Sequence, residues 1–468
     1  MASEKQLPWG YRWRSSRGFI ISTIIIALFA ETFLYGFVVP ILSYMLEDRL
    51  RMDPSQTQRM TTATLTVHGF SSLVSAPIIA HFADRTPNRK TPLLISLAGC
   101  FAGTLLVAST WSVETLFIGR ILQAVSGSAT WIAGFATLTD NVGLDHMGKA
   151  LGTAMAFVTA GQLCGPTVAG TLLELVGYWP TWSAPLLVLC LDIVARLLMI
   201  ERRELPLDQP KSAKLAAPRE PEECERAPLL PPSSHADESR DYHAVTNEAE
   251  QPRSSRSFYR IMFGDARIVA SVTNTLLFAT LISAFDATLP LHLRDAFQWN
   301  TLSVGMVFLS LQVPSICLGP LVGWLRDRTG ARGPATIGWA LTAPLLWLLG
   351  VPGEKRFPWA SAETNGEAIF ITGLISIGIV FTLIRGAGTM QLVAATKDME
   401  AKDPKIFGEF GGTSRMSSMG EVAFSLGAML GPLISGTLSE QVGYFYMNIF
   451  MGVICLPVAL SCFVFFRV

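Results

Sequence analysis

Five charged residues with no neutralising partner one helical turn away sit where charge is costly. Glu31, Asp286 and Glu421 each fall inside an apolar run long enough to cross a bilayer, and so do Arg120 and Arg385. An ionisable group inside a membrane span costs roughly 2.5–3.5 kcal/mol or more, so it is protonated, paired or turned to a water-filled cavity. Glu31 lies about 12 residues into its run, roughly 18 Å along a helix axis. Asp286 comes late in its run, and Glu421 lies in the first third of its own. Carboxylic acids at such depths can take up and release protons, the chemistry needed to couple a proton to another solute. Arg120 reads either as functional or as structurally paired. Asp192 is a fourth acid, and Arg196 at i+4 can neutralise it on one helix face.

The elements that position these residues follow from composition. The chain has 468 residues, 50% hydrophobic and 15% charged, against about 25% charged in soluble proteins. Its mean hydropathy is +0.40. A spanning helix needs roughly 20 mostly apolar residues. Twelve such stretches occur, at 19–40, 61–82, 92–110, 113–139, 148–172, 179–200, 267–291, 301–323, 333–351, 367–393, 416–438 and 443–466. The first is too long for the apolar core of a signal peptide and has no small-residue cleavage site. Residues 165–178, GPTVAGTLLELVGY, return as GPLISGTLSEQVGY at 431–444, identical at nine of fourteen positions with an offset of 266. A long-range repeat inside apolar runs is the signature of a transporter built from two similar halves.

The expected fold is an all-α membrane protein, twelve transmembrane helices in two pseudo-symmetric six-helix halves. Residues 1–18 form an N-terminal tail, 19–200 the first half, 201–266 a linker and 267–468 the second half. The linker is rich in Pro, Ser and charge, a composition that cannot bury enough apolar area to fold alone, so it reads as disordered. Within it, Glu225-Arg-Ala-Pro-Leu229-Leu230 fits an acidic dileucine sorting pattern, and a chance match in a Pro-rich stretch is the competing reading. Of the 36 Lys and Arg, 27 fall on the face holding the N-terminus, six on the opposite face and three (Arg120, Arg196, Arg385) within spans. The excess predicts both termini in the cytosol.

Other chemistries lack their residues. The seven Cys and six His show no metal-ligand spacing, and no nucleotide-binding loop or hydrolase motif occurs. No enzyme activity, cofactor, metal or nucleic-acid partner is expected. The expected partners are protons, a small-molecule substrate and the lipid bilayer, with the chain acting as a monomer and a proton gradient supplying energy.

A second repeat carries a resemblance. Pro77-IIAHFADRT and Pro320-LVGWLRDRT both place Asp-Arg-Thr at the end of the second helix of a half, at an offset of 243. Asp84 and Asp327 are expected to cap or pair there, with Arg85, Arg89, Lys90, Arg326, Arg328 and Arg332 as available partners. The chain here resembles the major facilitator superfamily, whose loop reads G-x-L-a-D-R-x-G-R-[K/R]. His81 replaces the leading Gly and Pro87-Asn88 the second Gly region, while Gly323, Asp327, Arg328 and Gly330 are closer. The resemblance implies a loop that latches the halves in one state of an alternating-access cycle. Gly119-Arg120-Ile-Leu-Gln123 resembles the R-x-x-Q-G motif of proton-coupled members, with Ala124 in the Gly position. Gly161, Gly165, Pro166 and Gly170 resemble the fifth-helix pattern of exporters, repeated by Gly427, Gly431, Pro432 and Gly436. Export is therefore expected over uptake.

Within the superfamily, Glu31-TFLYGFVVPI, Asp286-ATLPLHL and Glu421-VAFSLGAMLGP resemble the first, seventh and eleventh helices of the vesicular amine transporters and their fungal relatives. By that resemblance Glu31 contacts a cationic substrate group, while Asp286 and Glu421 exchange protons. Arg385 departs from the branch, which has an acid in this helix; it either neutralises Glu421 or Asp286 or binds an anionic or zwitterionic substrate. Phe33, Tyr35, Trp131 and Phe285 are candidate cavity aromatics, with packing or lipid contact as the alternative. The leading expectation is a proton-coupled antiporter exporting small amphipathic organic molecules, drug or secondary metabolite, at the plasma or vacuolar membrane. The alternatives are a vacuolar or vesicular amine or amino-acid loader and a non-transporting membrane sensor on the same fold.

Overall fold

A computed structural model of the chain describes residues 9–85, 90–142, 147–200, 255–354, 356–361, 365–403, 406 and 413–466. No strand occurs among them. Twelve long helices carry the architecture: α1 (Arg17–Tyr44), α2 (Thr57–Arg85), α3 (Lys90–Ser109), α4 (Val113–Asn141), α5 (Met147–Val176), α6 (Tyr178–Leu198), α7 (Ala266–Phe297), α8 (Thr301–Thr329), α9 (Arg332–Gly350), α10 (Gly366–Ile384), α11 (Thr413–Val442) and α12 (Tyr444–Phe465). Nine of the described helical stretches are long and apolar enough to cross a membrane by length and composition, and α3, α4 and α9 pack among them.

Local sequence sets the helix ends. Ser16, Ser112, Asp265 and Asn300 cap α1, α4, α7 and α8, each side chain accepting from a backbone N–H two or three residues on, at 2.8–3.3 Å. The α5–α6 and α11–α12 turns each pivot on one glycine, Gly177 at φ 81° and Gly443 at φ 90°. A side chain there would be strained, so the repeated Val-Gly-Tyr at the same 266 offset marks two equivalent tight turns. The outward faces expose Leu187, Leu191, Val194, Leu456, Leu460 and Phe463, the surface that hydrocarbon covers in a membrane.

The two-half symmetry is visible in which helices pack together. In the first half α1 packs on α5, α2 on α4, α3 on α4 and α6; in the second α7 packs on α11, α8 on α10, α9 on α10 and α12. The halves meet through α2 against α11 and α5 against α8, a pair of contacts that the same pseudo-two-fold exchanges.

Two segments differ from the expected boundaries. The stretch read as linker is helical at its end, over Ser255–Phe263, and Met262 is buried in a cluster with Ile268, Leu392, Met416 and Met419. That anchorage comes from the adjacent apolar pair Ile261 and Met262, which the overall polarity of the linker conceals. The tenth expected span is broken: α10 stops at Ile384, Arg385 and Gly386 form the break, and a second helix runs from Ala387 to Lys402. The sorting residues Glu225, Leu229 and Leu230 lie outside the described residues.

Candidate functional site

A polar cluster inside the bundle is built on α1 and α4. Glu31 lies over Gly127 of α4, where a Cβ would collide with its carboxylate carbon at 2.5 Å. Only a glycine gives the carboxylate this seat on the α4 backbone. One turn along α1, Tyr35 carries the cluster across to the second half: its hydroxyl faces the Asp286 carboxylate and the Ser283 hydroxyl of α7. Asp286 is buried, and Tyr35 and Glu31 are half-buried. His68 of α2 packs its ring 5.3 Å from that of Tyr35 and against the Arg120 backbone.

Arg120 sits two helical turns before Gly127 on the same helix and is 1% exposed. Its Nη1 donates to Gln123 Oε1 at 2.9 Å, and Gln123 Nε2 donates to Thr104 Oγ1 of α3 at 3.0 Å. The guanidinium carbon lies 5.8 Å from the Tyr35 ring centre. Glu31 and Asp286 are both within electrostatic reach of this cation. Its Nε and Nη2 have no hydrogen-bond partner among the described residues. The structure therefore brings Glu31, Arg120 and Asp286 into one cluster spanning both halves.

Arg385 and Glu421 are placed differently. Arg385 is half-buried at the α10 break and donates from Nη2 to Gln162 Oε1 of α5, across the interface between halves. It neutralises neither Glu421 nor Asp286. The break itself is held by Arg326 of α8, whose guanidinium donates to the carbonyls of Thr382 (3.0 Å), Leu383 (2.8 Å) and Arg385 (2.7 Å). Those carbonyls are the ones a helix end leaves without partners. Glu421 is half-buried on α11. Asp192 and Arg196 do pair, at 3.3 Å and with almost no exposure.

The repeated glycines explain how these helices approach. A Cβ on Gly165 would lie 2.5 Å from the Phe33 carbonyl of α1, and one on Gly431 2.5 Å from the Thr280 carbonyl of α7. Gly161 and Gly427 abut the same two helices one turn earlier. The last glycine of each motif packs between halves, Gly170 against the Thr301 carbonyl and Gly436 against Thr62. Pro166 and Pro432 lie inside α5 and α11. At the face opposite the N-terminus the halves are also tied by charge: Arg294 Nη1 donates to Glu47 Oε1 at 2.6 Å, which also accepts from Thr57 Oγ1 at 2.6 Å, and Gln58 Nε2 donates to the Ala287 carbonyl at 3.1 Å.

Of the candidate aromatics, Tyr35 reaches the cluster, whereas Phe33 and Phe285 are buried in the packed cores of the two halves and Trp131 stacks on Phe135. For the loop motif, Arg89 lies outside the described residues, as do the side chains of Asp84, Arg85, Lys90 and Asp327; Arg328 stacks over Trp324 at 4.3 Å. Sequence reading missed His68, Gly127, Gln162, Ser283 and the capping role of Arg326. His68 and Gln162 carried the same signal as the acids, a polar side chain within an apolar run.

Residues 24–393 match the family described as the Major Facilitator Superfamily. The chain belongs to that superfamily. An uncharacterized MFS-type transporter of Schizosaccharomyces pombe is 30% identical over 460 residues, covering 96% of each chain. A probable vesicular acetylcholine transporter of Danio rerio is 22% identical over 443 residues, covering 94% of this chain and 77% of that one. The solved structure of a bacterial homologue of the human lysosomal transporter Spinster shares the fold, with a TM-score of 0.65, 12% identity and 96% of each chain covered. The superfamily member described here is thus an integral membrane transporter with the all-α fold of its class. Its likeness to vesicular acetylcholine transporters agrees with the resemblance carried by the first, seventh and eleventh helices.

Proposed function

We propose that the chain is a proton-coupled antiporter that moves small amphipathic organic molecules out of the cytosol by alternating access. The observation that carries this reading is the cluster of Glu31, Tyr35, Arg120 and Asp286 deep in the bundle, assembled from both halves. A carboxylate shared between two bodies that rock against each other meets different partners in each state, so its proton affinity changes with conformation. That is the physical requirement for coupling. Glu31 would take a cationic group of the substrate, Asp286 and Glu421 would carry protons, and the Arg385–Gln162 contact would report the state of the interface. The Glu47–Arg294 pair would close the face away from the cytosol. Both termini and the 201–254 segment would lie in the cytosol, where the positive-inside rule puts the basic residues.

Flux into reconstituted vesicles tests this, with lipophilic cations, amines and zwitterions offered under an imposed pH gradient. The wild-type protein should need the gradient, and Glu31→Gln and Glu421→Gln should abolish coupled flux. Gradient-independent flux, or full activity in both variants, would sink antiport and leave a facilitator. The likeness to vesicular acetylcholine transporters favours a second reading, loading of a vacuole or vesicle. Imaging after Leu229→Ala and Leu230→Ala decides it: a cell-surface signal unaffected by the change removes that reading.

A further inference from the structure

The Arg120 guanidinium has two kinds of edge, and the protein uses only one. Nη1 is committed to Gln123. Nε and Nη2 lie side by side on the remaining edge, in a side chain 1% exposed, and neither has a partner among the described residues. Two parallel N–H donors on a planar fork match the two oxygens of a carboxylate. Glu31 is within electrostatic reach but makes no bond to this edge, and its own carboxylate is seated against Gly127, two turns further along α4. The first half therefore presents a separated anion and cation on one helix face.

We infer that the open edge of Arg120 receives a carboxylate of the transported molecule, so that the substrate is a small zwitterion with its ammonium group toward Glu31. The inference rests on the reading of this cluster as the transport site. A substrate carrying only an amine would satisfy Glu31 and leave two buried donors of Arg120 unpaired. Leaving such a charged donor pair without a partner costs the complex about 10- to 100-fold in affinity. Tyr35, whose ring lies 5.8 Å from the guanidinium carbon, supplies aromatic surface for the apolar part of the molecule.

Three probes that differ only in charged groups test this: phenylalanine, phenethylamine and 3-phenylpropionate. Binding to the purified full chain in lipid nanodiscs is measured by calorimetry, and flux of each is measured in vesicles. The expected result is that phenylalanine binds about 10- to 100-fold more tightly than either single-charge analogue. Arg120→Gln should abolish the preference, so that phenylalanine and phenethylamine bind that variant alike. Arg120→Lys, which keeps the charge and loses the fork, should restore only part of the preference. The wild-type ranking needs no variant to fold. Phenethylamine binding as tightly as phenylalanine, or an equal loss for both in Arg120→Gln, overturns the inference and assigns the edge to Glu31 in another state of the cycle. Binding of none of the three overturns it as well. Proton-coupled phenethylamine flux that dies in Glu31→Gln, without a phenylalanine preference, sinks this inference alone. A phenylalanine preference with flux that ignores the pH gradient sinks antiport alone.

Discussion

Gly127→Ala is the smallest change that moves Glu31 without touching it. A Cβ at this position would lie 2.5 Å from Glu31 Cδ and 3.0 Å from Oε2, with Oε1 nearer still. Carbon atoms rest at about 3.5–4.0 Å, so the carboxylate must retreat by roughly 1 Å. A displacement of that size at a reacting or binding group can cost about 100-fold. The expected loss in coupled flux is therefore about 10- to 100-fold, or roughly 1.4–2.7 kcal/mol. Folding should survive, because a helical Gly→Ala change gains up to about 1 kcal/mol of propensity. Gly134→Ala is the matched control, two turns further along α4. Its Cβ would meet Ile24 Cγ2 at 3.6 Å and Leu28 Cδ2 at 3.8 Å, ordinary contacts. Initial rates of proton-driven uptake into vesicles, normalised to inserted protein, compare the two. Gly127→Ala should lose flux while Gly134→Ala keeps it. If Gly127→Ala transports like wild type although Glu31→Gln is dead, the carboxylate does not depend on its α4 seat. If both alanine variants lose flux alike, stiffening of α4 is the cause and the seat again has no special role.

Three further outcomes follow from the geometry. Arg294→Gln removes a partly exposed ion pair with Glu47, worth about 0.5–1 kcal/mol, so it should shift the balance toward opening at that face by roughly 2- to 5-fold. Spectroscopic distances between labels on the α1–α2 and α7–α8 turns would register the shift, and the swap Glu47→Arg with Arg294→Glu should reverse it; unchanged distances would show that the pair does not latch. Arg326→Ala strips three carbonyl bonds from the α10 break and should lower unfolding stability by about 3 kcal/mol or more, with Arg326→Lys retaining part of it. An unaltered thermal midpoint would mean the break is held by other contacts. Tyr35→Phe and Asp286→Asn should be coupled by about 0.5–3 kcal/mol in a double-mutant cycle on flux, because the two side chains face each other across the halves. Strictly additive losses would place them in separate steps.

Apolar run lengths, internal repeats and the positions of buried charge were readable without coordinates. Their physical basis is local: a bilayer demands a fixed length of apolar helix, and duplication copies its glycines at a constant offset of 266. Thus Glu31, Arg120 and Asp286 stood out singly, as did the Asp192–Arg196 pair, which needs only i,i+4 spacing. Partnership across distant segments was not readable, because hydrophobic runs are interchangeable in sequence while their rotational settings are not. Nothing local says that Tyr35 turns to Asp286, 251 residues away by their numbering, or that Arg385 meets Gln162 and neither acid. The α10 break was hidden for the same reason: an Arg-Gly pair inside an apolar run gains its stability from Arg326 on another helix. The seat of Glu31 on Gly127 likewise exists only because α1 and α4 pack closely enough for a missing Cβ to matter. Sequence determined which side chains had to find an answer to burial, and tertiary packing decided which answer each received.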